Sequence, residues 1–252
     1  MILTEVEYEG KVIPVEFKRA TNPVASKMRK INVEGILIHY SAGFSTESTV
    51  KTFQSDEMVS AHFVVGRDGK IIQMFDTDYA AYHAGQSSWR GKSNCNNFLI
   101  GIEICNIGLL KKRDGKYYTY LNNWDYEYPK NYATPVLANG KYWEPFTEQS
   151  LESVAAIAKW AMKTYGITVN DFPGHRDVSP GRKIDPGDAF PRVKFTEMIS
   201  EKEVIVKHEE NDISFYDKAL QDSVTTENKR DSGKAPLVGF LSCKKKTGTA
   251  NF

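Results

Sequence analysis

The chain has 252 residues, of which 40% are hydrophobic and 26% charged, so it has room for one sizeable globular α/β domain with an appendage. Its net charge of +1 gives no reason to expect nucleic acid as a partner, and no apolar run is long enough for membrane insertion. The N-terminal stretch MILTEVEYEGKVIPVEF carries acids where a secretory signal is basic and then apolar, which predicts cytoplasmic synthesis. Three cysteines without C-x-x-C spacing predict free thiols and no metal ligands.

The first two thirds of the chain predict mainly strands. We expect residues 1–30 to form a lead-in to the domain. Strands are predicted where apolar residues run or alternate between turn signals, at 6–8, 12–17, 36–39, 61–66, 70–75 and 98–105. Asp68-Gly69 indicates a hairpin between two of them. In the last strand the alternation places Ile100, Ile102 and Ile104 on one face and Glu103 on the other.

Helices are predicted at three places. The first covers 46–56, with Ser45 or Thr46 as its N-cap, and the last covers 190–200. The clearest one begins after Thr147, repeats its apolar residues at spacings of three and four, and stops at Gly166.

Two segments carry weaker patterns. Residues 109–146 are rich in aromatic side chains, Tyr120 and Trp124 among them, and predict a surface excursion with some hairpin structure. This excursion is either a loop packed on its own aromatics or a wall of a ligand groove, and the sequence does not choose between them. Residues 202–252 predict a polar, loosely packed tail of unknown role.

The stretch GHRDVSPGRKIDPGDAF, from Gly174 to Phe190, carries the strongest indication of chemistry. Its prolines and glycines argue against a regular helix and predict a rigid loop. Within it, His175 and Asp185 are of the types that bind zinc, and Lys183 is suited to stabilising a developing oxyanion.

A third metal ligand is available at His39, in the segment GILIHYSAG. It lies at the C-terminal end of a predicted strand, where functional groups gather in open α/β sheets. Two histidines and one aspartate leave a fourth zinc position open, which is the pattern of a catalytic site. Taken singly, His39 reads more readily as a packed strand residue and His175 as an ordinary loop residue. Their joint occurrence with Lys183 and Asp185 favours the metal site.

Several segments, spread in order from about residue 33 to residue 197, carry a resemblance to a known family. They are ILIHYSAG, SAHFVVGRDGKIIQMFD, AYHAG, WRGKSNCNNFLIGIEICN, PFTEQSLESVAAIAKW and GHRDVSPGRKIDPGDAF. The chain resembles the zinc-dependent N-acetylmuramoyl-L-alanine amidases, whose fold is shared with peptidoglycan recognition proteins. The resemblance implies an α/β fold with a central mixed β-sheet flanked by helices, and a catalytic domain over 31–201. It also implies a Zn²⁺ ion bound by His39, His175 and Asp185.

The resemblance further implies that Glu103 and Lys183 flank the metal. Some relatives use a tyrosine immediately before the position of His62, but Ala61 stands there in this chain. Glu103 is therefore our candidate for the general base, with a strand-edge salt bridge as its alternative.

Other site residues are predicted with less support. The resemblance places His83 at the rim of a substrate groove, and Trp89, Arg90 and Asn97 offer aromatic and polar contacts to a sugar or peptide. For His62 we prefer local hydrogen bonds in a packed position beside the site.

The implied reaction is hydrolysis of the amide between the lactyl group of N-acetylmuramic acid and L-alanine, in peptidoglycan or in soluble muropeptides. We expect a lysin that degrades the cell wall after release. The alternatives are a cytosolic enzyme that recycles anhydro-muropeptides, a non-catalytic peptidoglycan-binding module, and a domain carried by a larger assembly through the tail. No pattern predicts an oligomeric state.

Overall fold

The computed structural model describes residues 1–21, 29–55 and 57–200. The strands are β1 Glu5–Tyr8, β2 Lys11–Phe17, β3 Gly35–Tyr40, β4 Phe63–Val65, β5 Ile71–Gln73, β6 Ser88–Trp89, β7 Lys92–Ser93, β8 Leu99–Ile104, β9 Leu109–Arg113, β10 Lys116–Thr119, β11 Tyr126–Glu127, β12 Val136–Ala138 and β13 Lys141–Trp143. The helices are α1 Thr46–Phe53, α2 Glu148–Tyr165, α3 His175–Val178 and α4 Arg192–Ile199.

Six strands form the central sheet, in the order β1-β2-β5-β4-β8-β3. The neighbours β3 and β8, β8 and β4, and β5 and β2 run parallel, whereas β4 with β5 and β1 with β2 are antiparallel. The predicted mixed sheet flanked by helices is confirmed.

Helix α2 covers one face of this sheet, and its ends are the predicted ones. The Thr147 side chain accepts a hydrogen bond from the Ser150 amide, and Gly166 adopts the left-handed conformation at φ 69°. The buried stripe of α2 packs with the isoleucines of β3 and β8 that alternate toward it. The opposite face of the same two strands therefore carries Leu37, His39, Gly101 and Glu103.

The N-terminal strands, predicted as a lead-in, belong to the central sheet. Strand β2 pairs with β5 in parallel, with Val15 opposite Ile71. Ile13 and Val15 are buried in the same core as α2. The alternation in KVIPVEF indicates a half-buried strand, but it does not reveal a partner more than fifty residues away.

The stretch 174–190 departs from our expectation at its start. Residues His175–Val178 form one helical turn, α3, before Pro180 and Gly181 are reached. The carboxylate of Asp177 accepts the Gly174 amide at 2.7 Å, which satisfies a donor at the start of this turn. The remainder lacks regular secondary structure until α4, as predicted.

The excursion at 109–146 contains a sheet of its own. Five short antiparallel strands lie in the order β11-β10-β9-β13-β12, and we call them the insertion sheet. Ile107, Leu110 and Tyr128 are buried against its aromatic side chains. The predicted tail, 202–252, lies outside the described residues. In the described part of the chain, no helix combines the length and apolar character needed to cross a bilayer.

Candidate metal centre and active site

The structure brings together the three side chains that the sequence predicts as metal ligands. His39 comes from β3, His175 from the first position of α3, and Asp185 from the loop that follows. The Nδ1 atoms of His39 and His175 lie 2.9 and 3.0 Å from Oδ2 of Asp185. One ligand atom from each residue lies within 4.8 Å of the other two, and all three residues are buried.

This cluster fits a catalytic zinc site. Tetrahedral ligands about 2.0–2.1 Å from zinc lie roughly 3.3 Å from one another, close to the observed separations. The Nε2–H of His175 donates to the carbonyl of Ala84 at 3.0 Å, which leaves Nδ1 of that ring as a ligand. Two imidazoles and one carboxylate leave a position open for a reactant.

Electrostatics favour the ligand forms of these groups. Burial lowers the pKa of His39, although its contact with Asp185 opposes the shift, so the neutral ring is favoured. Burial would raise the pKa of Asp185, but its close contacts with His175 and His39 outweigh burial and hold that pKa below its usual range. A neutral imidazole and an ionised carboxylate are the forms that bind a metal.

His83 orients His39. The Nε2–H of His39 donates to Nδ1 of His83 at 3.1 Å, and Nε2–H of His83 donates to the carbonyl of Leu99 at 3.1 Å. His83 can lie against β8 only because residue 101 is glycine, since a Cβ there would stand 2.5 Å from the His83 ring. His83 lines the same cavity as the candidate metal ligands, and both of its ring nitrogens are engaged by the protein.

Glu103 lies beside His39 because the two residues are register partners in β8 and β3. Its Oε2 is buried and has no hydrogen-bond partner among the residues that the structure describes. Burial raises the pKa of Glu103 well above its usual range, the charge of Asp185 adds to this, and Lys183 opposes it. A buried, unpartnered carboxyl oxygen next to the metal ligands is placed to exchange a proton with a reactant.

These groups line a cavity of about 970 Å³, which we call the metal cavity. Glu103, Lys183 and the three candidate ligands line it, together with the loop 41–44 that follows β3. Tyr120 and Trp124 of the excursion form part of its wall, whereas Tyr117 and Tyr142 pack on each other at 5.1 Å within the insertion sheet. The aromatic side chains of the excursion thus include some that line the cavity and others that pack on one another.

Arg182 was not singled out from the sequence. Its guanidinium donates to the carbonyls of Ala84 and Gln86 at 2.6 and 2.8 Å and to the Ser179 hydroxyl at 2.7 Å. It thereby joins the AYHAG loop to the loop that carries Lys183. The sequence signal that could have identified Arg182 is its place directly before Lys183, in a Pro- and Gly-rich stretch.

The structure does not bring Trp89, Arg90 and Asn97 to the metal cavity. The guanidinium of Arg90 pairs with Asp171 at 2.5 Å and lies 4.0 Å from the Trp89 ring centroid. The side chain of Asn97 accepts a hydrogen bond from Arg29. This geometry does not support the prediction that these three side chains contact substrate there.

The neighbouring residue, Asn96, supports the loop that carries His83. The Asn96 side-chain oxygen accepts the backbone amides of His83 and Ala84 at 3.0 and 2.8 Å. It therefore fixes the loop that carries His83.

His62 is fully buried and its ring is satisfied locally. Its Nδ1 accepts the Gly101 amide at 2.9 Å, and its Nε2–H donates to the carbonyl of Tyr79 at 2.9 Å. Burial lowers the pKa of His62 to about 4, so the ring is neutral at neutral pH.

The mixed sheet carries a buried cluster of two histidines and one aspartate that could hold a metal ion, and the comparisons with known proteins identify the family. Residues 29–188 match the family model described as N-acetylmuramoyl-L-alanine amidase. The chain belongs to the N-acetylmuramoyl-L-alanine amidase family.

Two curated relatives come from Escherichia coli strain K12. The 1,6-anhydro-N-acetylmuramyl-L-alanine amidase AmpD is 30% identical over 144 residues, which are 57% of this chain and 60% of the relative. The N-acetylmuramoyl-L-alanine amidase AmiD is 30% identical over 166 residues, 63% of this chain and 50% of the relative. The chain thus spans about half to three fifths of these relatives.

Solved structures share the fold. The complex of AmiD from E. coli with the substrate anhydro-N-acetylmuramic acid-L-Ala-D-gamma-Glu-L-Lys is 27% identical, with a TM-score of 0.53. The similarity covers 77% of this chain and 65% of AmiD. AmpDh3 from Pseudomonas aeruginosa, 23% identical with a TM-score of 0.50 over 72% of this chain and 63% of its own, supports the fold alone.

Proposed function

We propose that this chain is a zinc-dependent hydrolase of the amide bond between N-acetylmuramic acid and L-alanine. His39, His175 and Asp185 would hold the Zn²⁺ ion, and Glu103 and Lys183 would act on the substrate. The observation that carries the proposal is the buried, unpartnered Oε2 of Glu103 beside a cluster of three metal ligands. A module that only binds peptidoglycan has no need of either feature.

The residues divide the chemistry among them. When bound, Zn²⁺ polarises a carbonyl and lowers the pKa of water to about 7. Glu103 takes a proton from the attacking water and returns it to the leaving amine of L-alanine. Lys183 stabilises the negative charge that develops on the carbonyl oxygen. His83 holds the His39 ring in place through Nε2.

As substrate we propose peptidoglycan of the cell wall, reached after release of a cytoplasmically made protein. Tyr120 and Trp124 extend the cavity wall and so enlarge the surface available to a polymer. A soluble anhydro-muropeptide is the second candidate, because AmpD is named for that substrate and AmiD was solved with one.

The test measures amine release from purified cell-wall sacculi and, separately, from anhydro-N-acetylmuramic acid-L-Ala-D-γ-Glu-L-Lys. Each substrate is incubated with the protein alone, with a chelator, and with zinc restored. We expect cleavage that the chelator abolishes and zinc restores, and the preferred substrate identifies the role. One equivalent of bound zinc with neither substrate cleaved would contradict the proposal and favour a binding module.

Two variants separate metal binding from proton transfer. Asp185→Ala should lose stoichiometric zinc, because a buried ligand cluster is broken. Glu103→Gln should keep zinc and lose turnover by about 10²- to 10⁴-fold. The exposed Glu47→Gln on α1 is the matched control. Near-normal turnover by Glu103→Gln would show that the assigned base is wrong.

A further inference from the structure

A second cavity, of about 320 Å³, adjoins the metal cavity, and the two share Lys183 and Ile184 in their walls. The second cavity, which we call the side pocket, lies between the insertion sheet and the loop after α3. Its lining includes Lys141 and Trp143 from β13, and Arg176, Lys183 and Asp188 from residues 176–188. A substrate whose carbonyl lies beside Lys183 has this pocket within reach.

The local sequence fixes Lys141 at the rim of this pocket. Asn139 and Gly140 both have positive φ, 49° and 72°, and join β12 to β13 in a two-residue turn. Alternation along β13 places Lys141 and Trp143 on one face. Tyr142 points to the other face, where it packs on Tyr117.

Trp143 lines the side pocket, and its side chain is held in place by its neighbours. The residue is 2% exposed, and its Nε1–H donates to the carbonyl of Ala138 at 3.2 Å. The indole lies so close to Gly187 that a Cβ at that position would be 2.5 Å from the ring. The hairpin β12–β13 is therefore held against the loop that carries Asp185.

The pocket has an excess of positive charge. Arg176 is compensated, because its guanidinium pairs with Asp188 at 2.5 Å. Lys141 and Lys183 form no ion pair with any residue in the described part of the chain. Two ammonium groups that form no ion pair, placed around one concave site, favour an anionic ligand group.

We propose that the side pocket binds a carboxylate of the stem peptide and that Lys141 determines this specificity. The inference rests on the proposed function, in which the peptide beyond L-alanine leaves from the site beside Lys183. A γ-linked glutamate keeps its α-carboxylate free and directly follows L-alanine. The carboxylate at the C-terminus of the peptide is the second possible source of the same chemistry.

Lys141 is the residue to change, since Lys183 belongs to the proposed machinery and Arg176 already has a partner. Lys141→Gln removes one charge from an exposed side chain and preserves the fold. Lys111→Gln is the matched control, because it makes the same change on β9 of the insertion sheet, away from the pocket.

The experiment compares anhydro-N-acetylmuramic acid-L-Ala-D-γ-Glu-L-Lys with its glutamate α-carboxamide and with its C-terminal amide. For the wild-type chain we expect KM to rise about tenfold when the bound carboxylate becomes an amide, because a charge-assisted hydrogen bond is lost. Lys141→Gln should erase that difference, because the variant has no ammonium group there to distinguish a carboxylate from an amide. The amide that raises KM identifies the source of the carboxylate.

Calorimetry measures binding of the product tripeptide L-Ala-D-γ-Glu-L-Lys to the wild type and to both variants. This measurement tests the pocket without turnover. Tripeptide binding weakened only in Lys141→Gln supports the pocket, even if no substrate is cleaved and the proposed function fails. Equal KM for all three substrates would overturn the pocket while leaving the amidase intact. Identical tripeptide binding by Lys141→Gln and Lys111→Gln would overturn it as well.

Discussion

The metal-binding face of the central sheet differs from the insertion sheet in the contacts that its polar side chains make. On the first, His39, His62 and His83 have both ring nitrogens within hydrogen-bond distance of a protein atom. On the second, exposed cations lie over tyrosine rings, with Arg113 4.1 Å from the centroid of Tyr118. The metal site is therefore ordered by the fold itself, whereas the insertion sheet leaves charge available to a ligand.

Arg67 joins the two regions. Its guanidinium donates to both carboxylate oxygens of Glu144, at 2.5 and 2.9 Å, and to the carbonyl of Phe44 at 2.8 Å. Glu144 follows β13 directly and also accepts the Ile107 amide at 2.5 Å. Phe44 belongs to the loop 41–44 that lines the metal cavity. The partly buried Arg67 thus connects the loop 41–44, which lines the metal cavity, to the insertion sheet.

Breaking this connection should have the largest effect on stability. The Glu144 side chain is 2% exposed, and Arg67→Met removes the cation that pairs with it, so we expect the free energy of unfolding to fall by about 3–5 kcal/mol. Urea denaturation measures the change. The control Arg113→Met removes an exposed cation from a tyrosine ring and should cost about 1 kcal/mol or less. If Arg67→Met costs no more than this control, the connection is not energetically important.

Removing the hydrogen bond between His39 and His83 should have the next largest effect, which is a loss of metal affinity. His83→Phe keeps a planar ring but removes the acceptor for Nε2–H of His39, so we expect zinc affinity to fall about 10- to 100-fold. Competition with a chromophoric chelator measures it. Gly101→Ala should act in the same direction, because the new Cβ displaces the His83 ring. Wild-type affinity in both variants would show that His83 does not position the ligand.

Features that arise from local patterns could be predicted from the sequence. Helix α2, its cap at Thr147 and its end at Gly166 follow from local patterns, and so does the hairpin at Asp68-Gly69. The candidate metal ligands are recognisable by residue type, because few other roles require two histidines and an aspartate near a lysine.

Other features depend on pairing between distant segments. The parallel pairing of β2 with β5 and the strand order of the insertion sheet are not encoded in any short window. The neighbours Asn96 and Asn97 show the same limit over a single residue step. Residues Cys95–Asn97 form a 3₁₀ turn, in which one step along the chain moves a side chain from the His83 loop toward Arg29. Residue type predicts that Asn97 contacts a sugar or peptide, whereas the turn directs Asn97 to Arg29 and Asn96 to the His83 loop.

The smallest predicted effect concerns the pH dependence of stability that arises from the buried ring of His62. His62 has a pKa of about 4 in the folded chain against about 6.5 when unfolded. Below pH 6.5 the unfolded chain binds the additional proton, so stability falls as the pH drops from about 6.5 towards 4. From pH 7 to pH 5, His62 should account for a loss of about 2 kcal/mol.

His62→Gln provides the test, because glutamine does not titrate and retains a donor and an acceptor for Tyr79 and Gly101. Urea unfolding of both proteins at pH 7 and pH 5, with chelator present throughout, removes the contribution of metal binding. The other titrating groups act equally in both proteins, so the difference between the two pH dependences isolates His62. An equal loss in the variant would mean that His62 is not held neutral by burial, and that the fold tolerates its charge beside β8.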